Sequence, residues 1–202
     1  MFWDWWQSLF TDMPAYAFFN FKFLPKYGYA VIQGVEYTLI LSVVSVLLAV
    51  LPALMLATMR LSKCAPVRWL SGAYIAAFRS TPMLVQLIII YYGVFNAILV
   101  PKFLIFGFLD STRFIPGVVA LALNKNVLPS LANEVVTMIK ESSICMMLGM
   151  GEIMFAAQTI SGSTYIAIGP YMWAAIIYFA INYPTSKVIE HIERRMRRGD
   201  KN

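Results

Sequence analysis

Charged residues are scarce in this 202-residue chain, in which Asp, Glu, Lys and Arg together make up only 13%. An ordinary soluble domain carries about 25% charged residues. Hydrophobic residues account for 60% of the chain, and a soluble protein of that composition would have too little polar surface to stay dissolved. The shortage of charge excludes an ordinary soluble domain. It predicts an integral membrane protein, because a lipid-facing surface accepts apolar side chains.

Cysteine, histidine and the motifs of common enzymes are also scarce or absent. The two cysteines, Cys64 and Cys145, form no CxxC pair, so neither a disulfide framework nor a structural zinc site is predicted. The only histidine, His191, lies beside Glu190 and Glu193, which is typical of a solvated helix face. Walker-type glycine loops and HExxH are missing. We therefore predict no catalytic residue, no metal site and no cofactor, and we disfavour a membrane enzyme.

The net charge of +6 is concentrated next to apolar stretches. One cluster contains no acid and consists of Arg60, Lys63, Arg68 and Arg79. The other lies in the tail and consists of Arg194, Arg195, Arg197, Arg198 and Lys201. Lys and Arg beside hydrophobic spans are retained on the cytoplasmic side. We therefore predict that the 60–79 loop and the basic tail, residues 191–202, are cytoplasmic, as expected of a multi-pass protein of a bacterial inner membrane. Nucleic-acid binding is disfavoured.

Residues 1–33 are aromatic but interrupted by charges and prolines. Trp and Tyr favour the headgroup region of a bilayer, where an apolar ring and a polar edge are both satisfied. This pattern predicts an interfacial segment on the outer leaflet, and a disordered tail is the alternative. The segment lacks the basic n-region of a cleavable signal peptide.

Uncharged runs predict where the chain crosses the membrane. Residues 37–59 carry no charge and are long enough for about 30 Å of hydrocarbon, as are residues 80–100. Residues 165–185 form a third uncharged span before the basic tail, and residues 131–160 are moderately apolar. Residues 114–124, in contrast, make only about 16 Å of helix, roughly half a bilayer. Both basic segments are expected on the cytoplasmic side, and the span at 80–100 leads outward. An odd number of later crossings must therefore return the chain before the basic tail, and residues 114–124 are too short to be one of them.

Three stretches resemble the type I permeases of ABC importers for polar amino acids. Residues 78–87 read FRSTPMLVQL and resemble the family's F-R-G-T-P-x-L-V-Q-L motif through Arg79, Ser80, Thr81 and Pro82, with Ser80 where the family usually has Gly. Residues 128–134 read LPSLANE and residues 140–143 read KESS, which resemble two later motifs. The resemblance covers about residues 31–198. It implies an all-α, polytopic helical bundle with the permease transmembrane domain in residues 34–190.

The chain departs from that family between its third span and the later motifs. In family members, the position of Asn124 is followed by the rest of the third span and by a cytoplasmic E-A-A-x-x-x-G loop that docks onto the ATPase. Here Lys125 and Asn126 lead directly to the LPSLANE stretch, and no E-A-A sequence occurs. The crossing count and the comparison of motifs thus both indicate a shortened region near residues 124–130.

The resemblance implies a function, with partners. The chain is expected to form the path of a polar amino acid across the inner membrane as a homodimer or a heterodimer with a second permease. An ABC ATPase subunit would bind inside and a solute-binding protein outside. The alternative is an internally deleted remnant that inserts in the membrane without transport. Because a docking helix is missing, the sequence predicts that the chain as written does not couple ATP hydrolysis to transport.

Polar residues inside the predicted spans are candidates for the transport path, since ionisable groups at membrane depth usually face a cavity or a partner. The candidates are Arg79, Gln86, Asn133, Glu134, Lys140, Glu141 and Ser142. Five of them have a structural alternative. Glu134, Lys140 and Glu141 would neutralise one another near an interface. For Arg79 we favour an anchor at the inner leaflet, and for Gln86 a hydrogen bond to a neighbouring helix.

Overall fold

The computed structural model describes residue 14 and residues 20–95, 97–98, 100–124 and 131–199. Most of the predicted interfacial segment, the shortened region at 125–130 and the last three residues of the tail lie outside the described residues. Within them the fold is all-α, as predicted, apart from one small hairpin. The helices are α1 Leu24–Leu61, α2 Ala65–Ser80, α3 Met83–Ile88, α4 Ser111–Asn124, α5 Leu131–Glu141, α6 Ile153–Thr164 and α7 Gly169–Gly199.

The first helix is longer than the span predicted inside it. Its 38 residues extend about 57 Å at 1.5 Å per residue, almost twice the hydrocarbon thickness of about 30 Å. Its most apolar 18 residues have a mean hydropathy of 2.8. The helix begins at Leu24, so residues 24–33 of the predicted interfacial segment are helical. The boundary at residue 33, drawn from composition, therefore falls within a continuous helix, and the interfacial placement stays a prediction.

Among the described residues, α1 is the one unbroken helix that is both long and apolar enough to cross a membrane. Two further candidates are pairs of shorter helices. In one of them, α2 is followed by α3 and its π-helical continuation, Ile89–Phe95, after a bend of 109°. The other combines residues 134–148 with α6. The last helix, α7, has 31 residues but is not among these candidates. The predicted clean span at 165–185 is therefore less apolar than expected, because tyrosines, Asn182 and Pro184 interrupt it.

The described chain divides into two compact units. In the first, formed by the chain up to Leu39 and from Gly149 onward, α6 and α7 pack together. One cluster of its core contains Phe21, Phe23, Ile160 and Ile166, and a second contains Ile153, Ala157 and Ala174. The second unit spans Ile40–Leu148. In it α4 packs against α3, against the π-helix and against the 3-10 helix Ser142–Leu148 that continues α5.

A hairpin that the sequence did not predict precedes α4. Its strands are β1 Leu104–Ile105 and β2 Leu109–Asp110, paired antiparallel. The turn between them needs positive φ at Phe106 (51°) and Gly107 (79°), and a phenylalanine there gives little warning of such a turn. Asp110 accepts hydrogen bonds from the Thr112 hydroxyl at 2.7 Å and the Thr112 N–H at 3.0 Å. The hydroxyl bond lowers the pKa of the Asp110 carboxyl.

Candidate functional site

The FRSTP stretch forms a sharp break between two helices. α2 ends at Ser80, Thr81 has an extended backbone (φ −102°, ψ 133°), and α3 begins at Met83 after Pro82. Proline disfavours helical backbone in the residue before it and has no N–H to donate, so a Thr-Pro pair is expected to end a helix. A threonine before a helix can cap it, but Thr81 does not cap α3, whose N-cap is Pro82. The Thr81 hydroxyl donates backwards to the carbonyl of Ala77 in α2.

Gln86, which belongs to α3, hydrogen-bonds to the end of α2 across this break. Its amide nitrogen Nε2 donates to the carbonyl oxygens of Phe78 at 2.6 Å and Thr81 at 2.8 Å. These carbonyls lie at the end of α2, where no further turn supplies N–H donors. The side chain is only 7% exposed, so the hydrogen bond to a neighbouring helix that we favoured for Gln86 is present. The other amide atom, Oε1, is buried and has no hydrogen-bond partner among the described residues.

Arg79 lies in the last turn of α2, and its side chain is exposed. A cation at the C-terminal end of a helix is stabilised by the helix dipole. Within the described part of the chain Arg79 makes no ion pair and no side-chain hydrogen bond. Its guanidinium is therefore available to a ligand or to lipid headgroups, and both roles considered for it stay open.

The remaining predicted residues follow one another along α5 and its 3-10 continuation. Glu134 occupies the first turn of α5 and Lys140 the last. Glu134 and Glu141 are seven residues apart, so they share a helix face, and both are half-buried. Lys140 is exposed. The transport role and the mutual neutralisation considered for these three residues both stay predictions.

The structure describes the side chain of Ser142 but not that of Asn133. Ser142 is fully buried, and its hydroxyl donates to the carbonyl of Ile139 at 2.8 Å. Asn133 belongs to α5, but its side chain lies outside the described residues. Arg79 and Gln86 lie at the α2–α3 break, whereas Glu134, Lys140, Glu141 and Ser142 follow one another along α5 and its 3-10 continuation.

The sequence analysis missed a buried carboxylate at Glu152, which is the N-cap of α6. Oε1 accepts the N–H of Phe155 at 2.6 Å, and Oε2 accepts the N–H of Met154 at 2.8 Å. The Tyr178 hydroxyl of α7 donates to Oε2 at 2.8 Å. The side chain is fully buried. A single carboxylate thus satisfies two orphan donors of α6 and ties the start of that helix to α7.

The peptide that follows Glu152 also contacts α1. The N–H of Ile153 donates to the Thr38 hydroxyl at 3.2 Å. A Cβ on Gly34 would lie 3.2 Å from the Cα of Ile153, so the absence of a side chain at Gly34 permits this close approach. Three helices therefore meet at Glu152 and Ile153. Serine, threonine, aspartate and asparagine are the usual N-caps, and so the sequence carried little signal for a glutamate in this role.

Comparisons with known proteins agree on one kind of relative. No family model matches the chain. A putative glutamine transport system permease of Rickettsia typhi is 32% identical, over 87% of this chain and 96% of the relative. The arginine transport system permease ArtQ of Bacillus subtilis is 25% identical, over 84% and 94%. A crystal structure of an amino acid ABC transporter with histidines superposes with a TM-score of 0.74, at 29% identity over 87% of this chain and 98% of that chain.

The same alignments show that this chain is shorter within the matched region. The match to the Rickettsia typhi permease extends over 211 positions, whereas 87% of 202 residues is about 176 residues. About 35 positions of the relative therefore have no counterpart in this chain. This difference agrees with an internal shortening, and its placement near residues 124–130 stays a prediction.

Replacing Gln86 by leucine is expected to destabilise the α2–α3 break. The change replaces the amide by an apolar side chain of similar size and leaves the carbonyls of Phe78 and Thr81 without donors, which costs about 1–2 kcal/mol. The midpoint of thermal unfolding in detergent should fall measurably. Gln158→Leu is the matched control, because Gln158 is exposed and should tolerate the change. Equal midpoints for the two variants would contradict the role of Gln86.

Replacing Glu152 by glutamine should be more costly than the same change at an exposed site. Glutamine offers one acceptor in place of two oxygens and turns an NH₂ group toward N–H or O–H donors. We expect a loss of about 1–3 kcal/mol in the free energy of unfolding. Tyr178→Phe removes a single hydrogen bond and should have a smaller effect. Glu36→Gln, at an exposed position, should have almost none, and a different order of effects would refute the proposed cap.

Proposed function

Because the chain belongs to the family of amino-acid ABC transporter permeases, we propose that it forms the path of a polar amino acid across the inner membrane. Members of this family are membrane transport subunits and not enzymes, and ATP hydrolysis takes place in a separate subunit. We also propose the class of amino acid that the chain carries, its ATPase partner and its orientation in the membrane.

A polar amino acid is the substrate that the relatives favour. Their names specify glutamine for the Rickettsia permease and arginine for ArtQ, and the solved transporter contains histidines. The side chains of these three amino acids share hydrogen-bonding nitrogen atoms. The α2–α3 break suits such a ligand, because the exposed Arg79 offers guanidinium donors to a carboxylate.

The observation that carries the proposed path is the break at Thr81 and Pro82. It interrupts an apolar pair of helices and turns the chain by 109°. Irregular backbone at membrane depth is tolerated where it is buried in protein or lines a cavity. In transporters built from discontinuous helices, the helix ends and freed polar groups hold the solute. We therefore place the solute beside this break, with the α5 residues Asn133, Glu134, Lys140 and Glu141 as further candidates.

The proposed assembly follows the family arrangement. Two permease subunits, identical or related, would enclose the path, with an ATPase on the cytoplasmic side and a solute-binding protein outside. The basic 60–79 segment and the basic tail favour a cytoplasmic C-terminus, because Lys and Arg are retained inside. The similarity extends along 96% of the Rickettsia typhi relative, which favours a working permease over the internally deleted remnant. The uncoupling predicted from the missing loop is the opposite expectation, and measurements of ATP hydrolysis distinguish the two.

Uptake measurements test the proposed substrate. Cells that produce this chain with its ATPase and binding protein should accumulate labelled glutamine, arginine, histidine or glutamate. Unlabelled polar amino acids should compete with that uptake, and leucine should not. A complex that carries only sugars or metal ions would contradict the proposal.

The Arg79→Gln variant tests the proposed path within the same assay. If Arg79 binds the substrate carboxylate, the loss of a charge-assisted hydrogen bond should lower uptake at limiting substrate by about tenfold or more. Lys102→Gln is the control, since it removes the same charge from an exposed residue of the connector. Uptake that is equal in the two variants would assign Arg79 to anchoring at the membrane surface.

A further inference from the structure

The turn between α1 and α2 is held together by two arginines that cross it. Arg60 Nη1 donates to the carbonyl of Arg68 at 3.4 Å, and Arg68 Nη1 donates to the carbonyl of Ser62 at 3.3 Å. A Cβ on Gly72 would lie 2.5 Å from Arg60 Nη1, so the missing side chain at Gly72 lets Arg60 lie against α2. We call residues 60–70 the basic turn. Each guanidinium there has further N–H donors that these carbonyls do not use.

Among the described residues, no acid pairs with the cations of the basic turn. From residue 37 to residue 109 the sequence contains no Asp and no Glu. Arg60, Lys63 and Arg68 are all exposed, and none forms an ion pair with a described residue. Two arginines with backbone contacts and unused donors, with Lys63 as a third cation, are suited to an anion that carries several acceptor oxygens, such as a phosphate group.

The surface beside the basic turn is apolar and continuous with the exposed side of α1. Leu47, Leu51, Leu54 and Leu61 are spaced so that they form one stripe along the helix. Leu51 is 71% exposed and Leu61, at the end of the stripe, is 85% exposed. In the basic turn itself, Trp69 is 73% exposed and Leu70 is also exposed. Trp is enriched where acyl chains meet headgroups, so this apolar stripe ends at a tryptophan and three cations.

We propose that the basic turn binds the phosphate of an anionic phospholipid, whose acyl chains lie along the exposed stripe of α1. Arg60 and Arg68 donate to the phosphate oxygens, and Lys63 adds a third positive charge. Leu61, Trp69 and Leu70 lie among the upper acyl carbons. A lipid fits better than an ATPase subunit, because one molecule then satisfies both the uncompensated cations and the apolar side chains that continue from them.

The test measures which lipids the purified full-length chain retains. The protein is exchanged into mixed micelles with equal amounts of phosphatidylglycerol and phosphatidylcholine, and native mass spectrometry counts the bound lipids of each class. The wild type should retain phosphatidylglycerol preferentially. Arg60→Gln with Arg68→Gln should lower that preference, by roughly fivefold for each arginine removed. Lys22→Gln with Lys102→Gln removes the same charge from two other exposed residues and should leave the preference in place.

Two glycine variants test the position of the Arg60 side chain without changing the net charge. They can be used even if the double arginine variant does not fold. Gly72→Ala displaces Arg60 without altering the net charge and should weaken the preference for phosphatidylglycerol. Gly93→Ala is its control, because a Cβ there meets only Ile89 at 3.9 Å. The proposal is overturned if the Gly72 and Gly93 variants retain the two lipids alike. It is also overturned if the arginine variants keep the lipid preference but lose the ATPase on co-purification.

Discussion

The structure depends on one constraint, which is that polar groups at membrane depth must find partners within the protein. Hydrocarbon offers no hydrogen bonds, so every helix that stops inside the bilayer leaves unsatisfied carbonyls or N–H groups behind. This chain contains several short helices, and described side chains satisfy the ends of two of them. Gln86 supplies donors to the end of α2, and Glu152 supplies acceptors to the start of α6. Each break thus has its own buried polar side chain.

The two breaks also show why an amide lies at one helix end and a carboxylate at the other. A helix C-terminus needs donors, and an amide nitrogen has two. A helix N-terminus needs acceptors, and a carboxylate has two oxygens. Glu152 has a third donor in Tyr178 of α7, so the same carboxylate fixes the start of one helix and its distance from another. Polar residues inside an apolar chain therefore determine where its helices stop and how they are held.

The sequence predicted the parts of the fold that depend on composition and on local chemistry. The charge-free run at 37–59 located the interior of α1. The direction of the Thr81 hydroxyl could not be predicted, because a hydroxyl before proline has a carbonyl of the preceding helix within reach on one side and a cap position of the following helix on the other. The true length of α1 was also missed, because helix formation continues past Glu36 and Lys26 into more polar sequence.

Candidate site residues were harder to predict, because their roles depend on contacts far apart in the chain. Gln86 was found through its motif, and its partner Phe78 lies only eight residues away. Glu152 has its partners at positions 154, 155 and 178, and its neighbouring peptide binds Thr38. A contact over 115 residues leaves no periodic pattern in the sequence. The alignments added that about 35 positions of a relative have no counterpart in this chain.

The central question is whether a permease of this reduced length still responds to its ATPase. The most direct measurement reconstitutes the chain with its cognate ATPase and binding protein in liposomes and records ATP hydrolysis with and without a polar amino acid. A full-length relative is assayed in parallel. If the chain is a working permease subunit, the amino acid and its binding protein stimulate hydrolysis as they do for the relative. Hydrolysis that stays at its basal rate, while the relative responds, would contradict the proposed function and identify the chain as a non-coupling remnant.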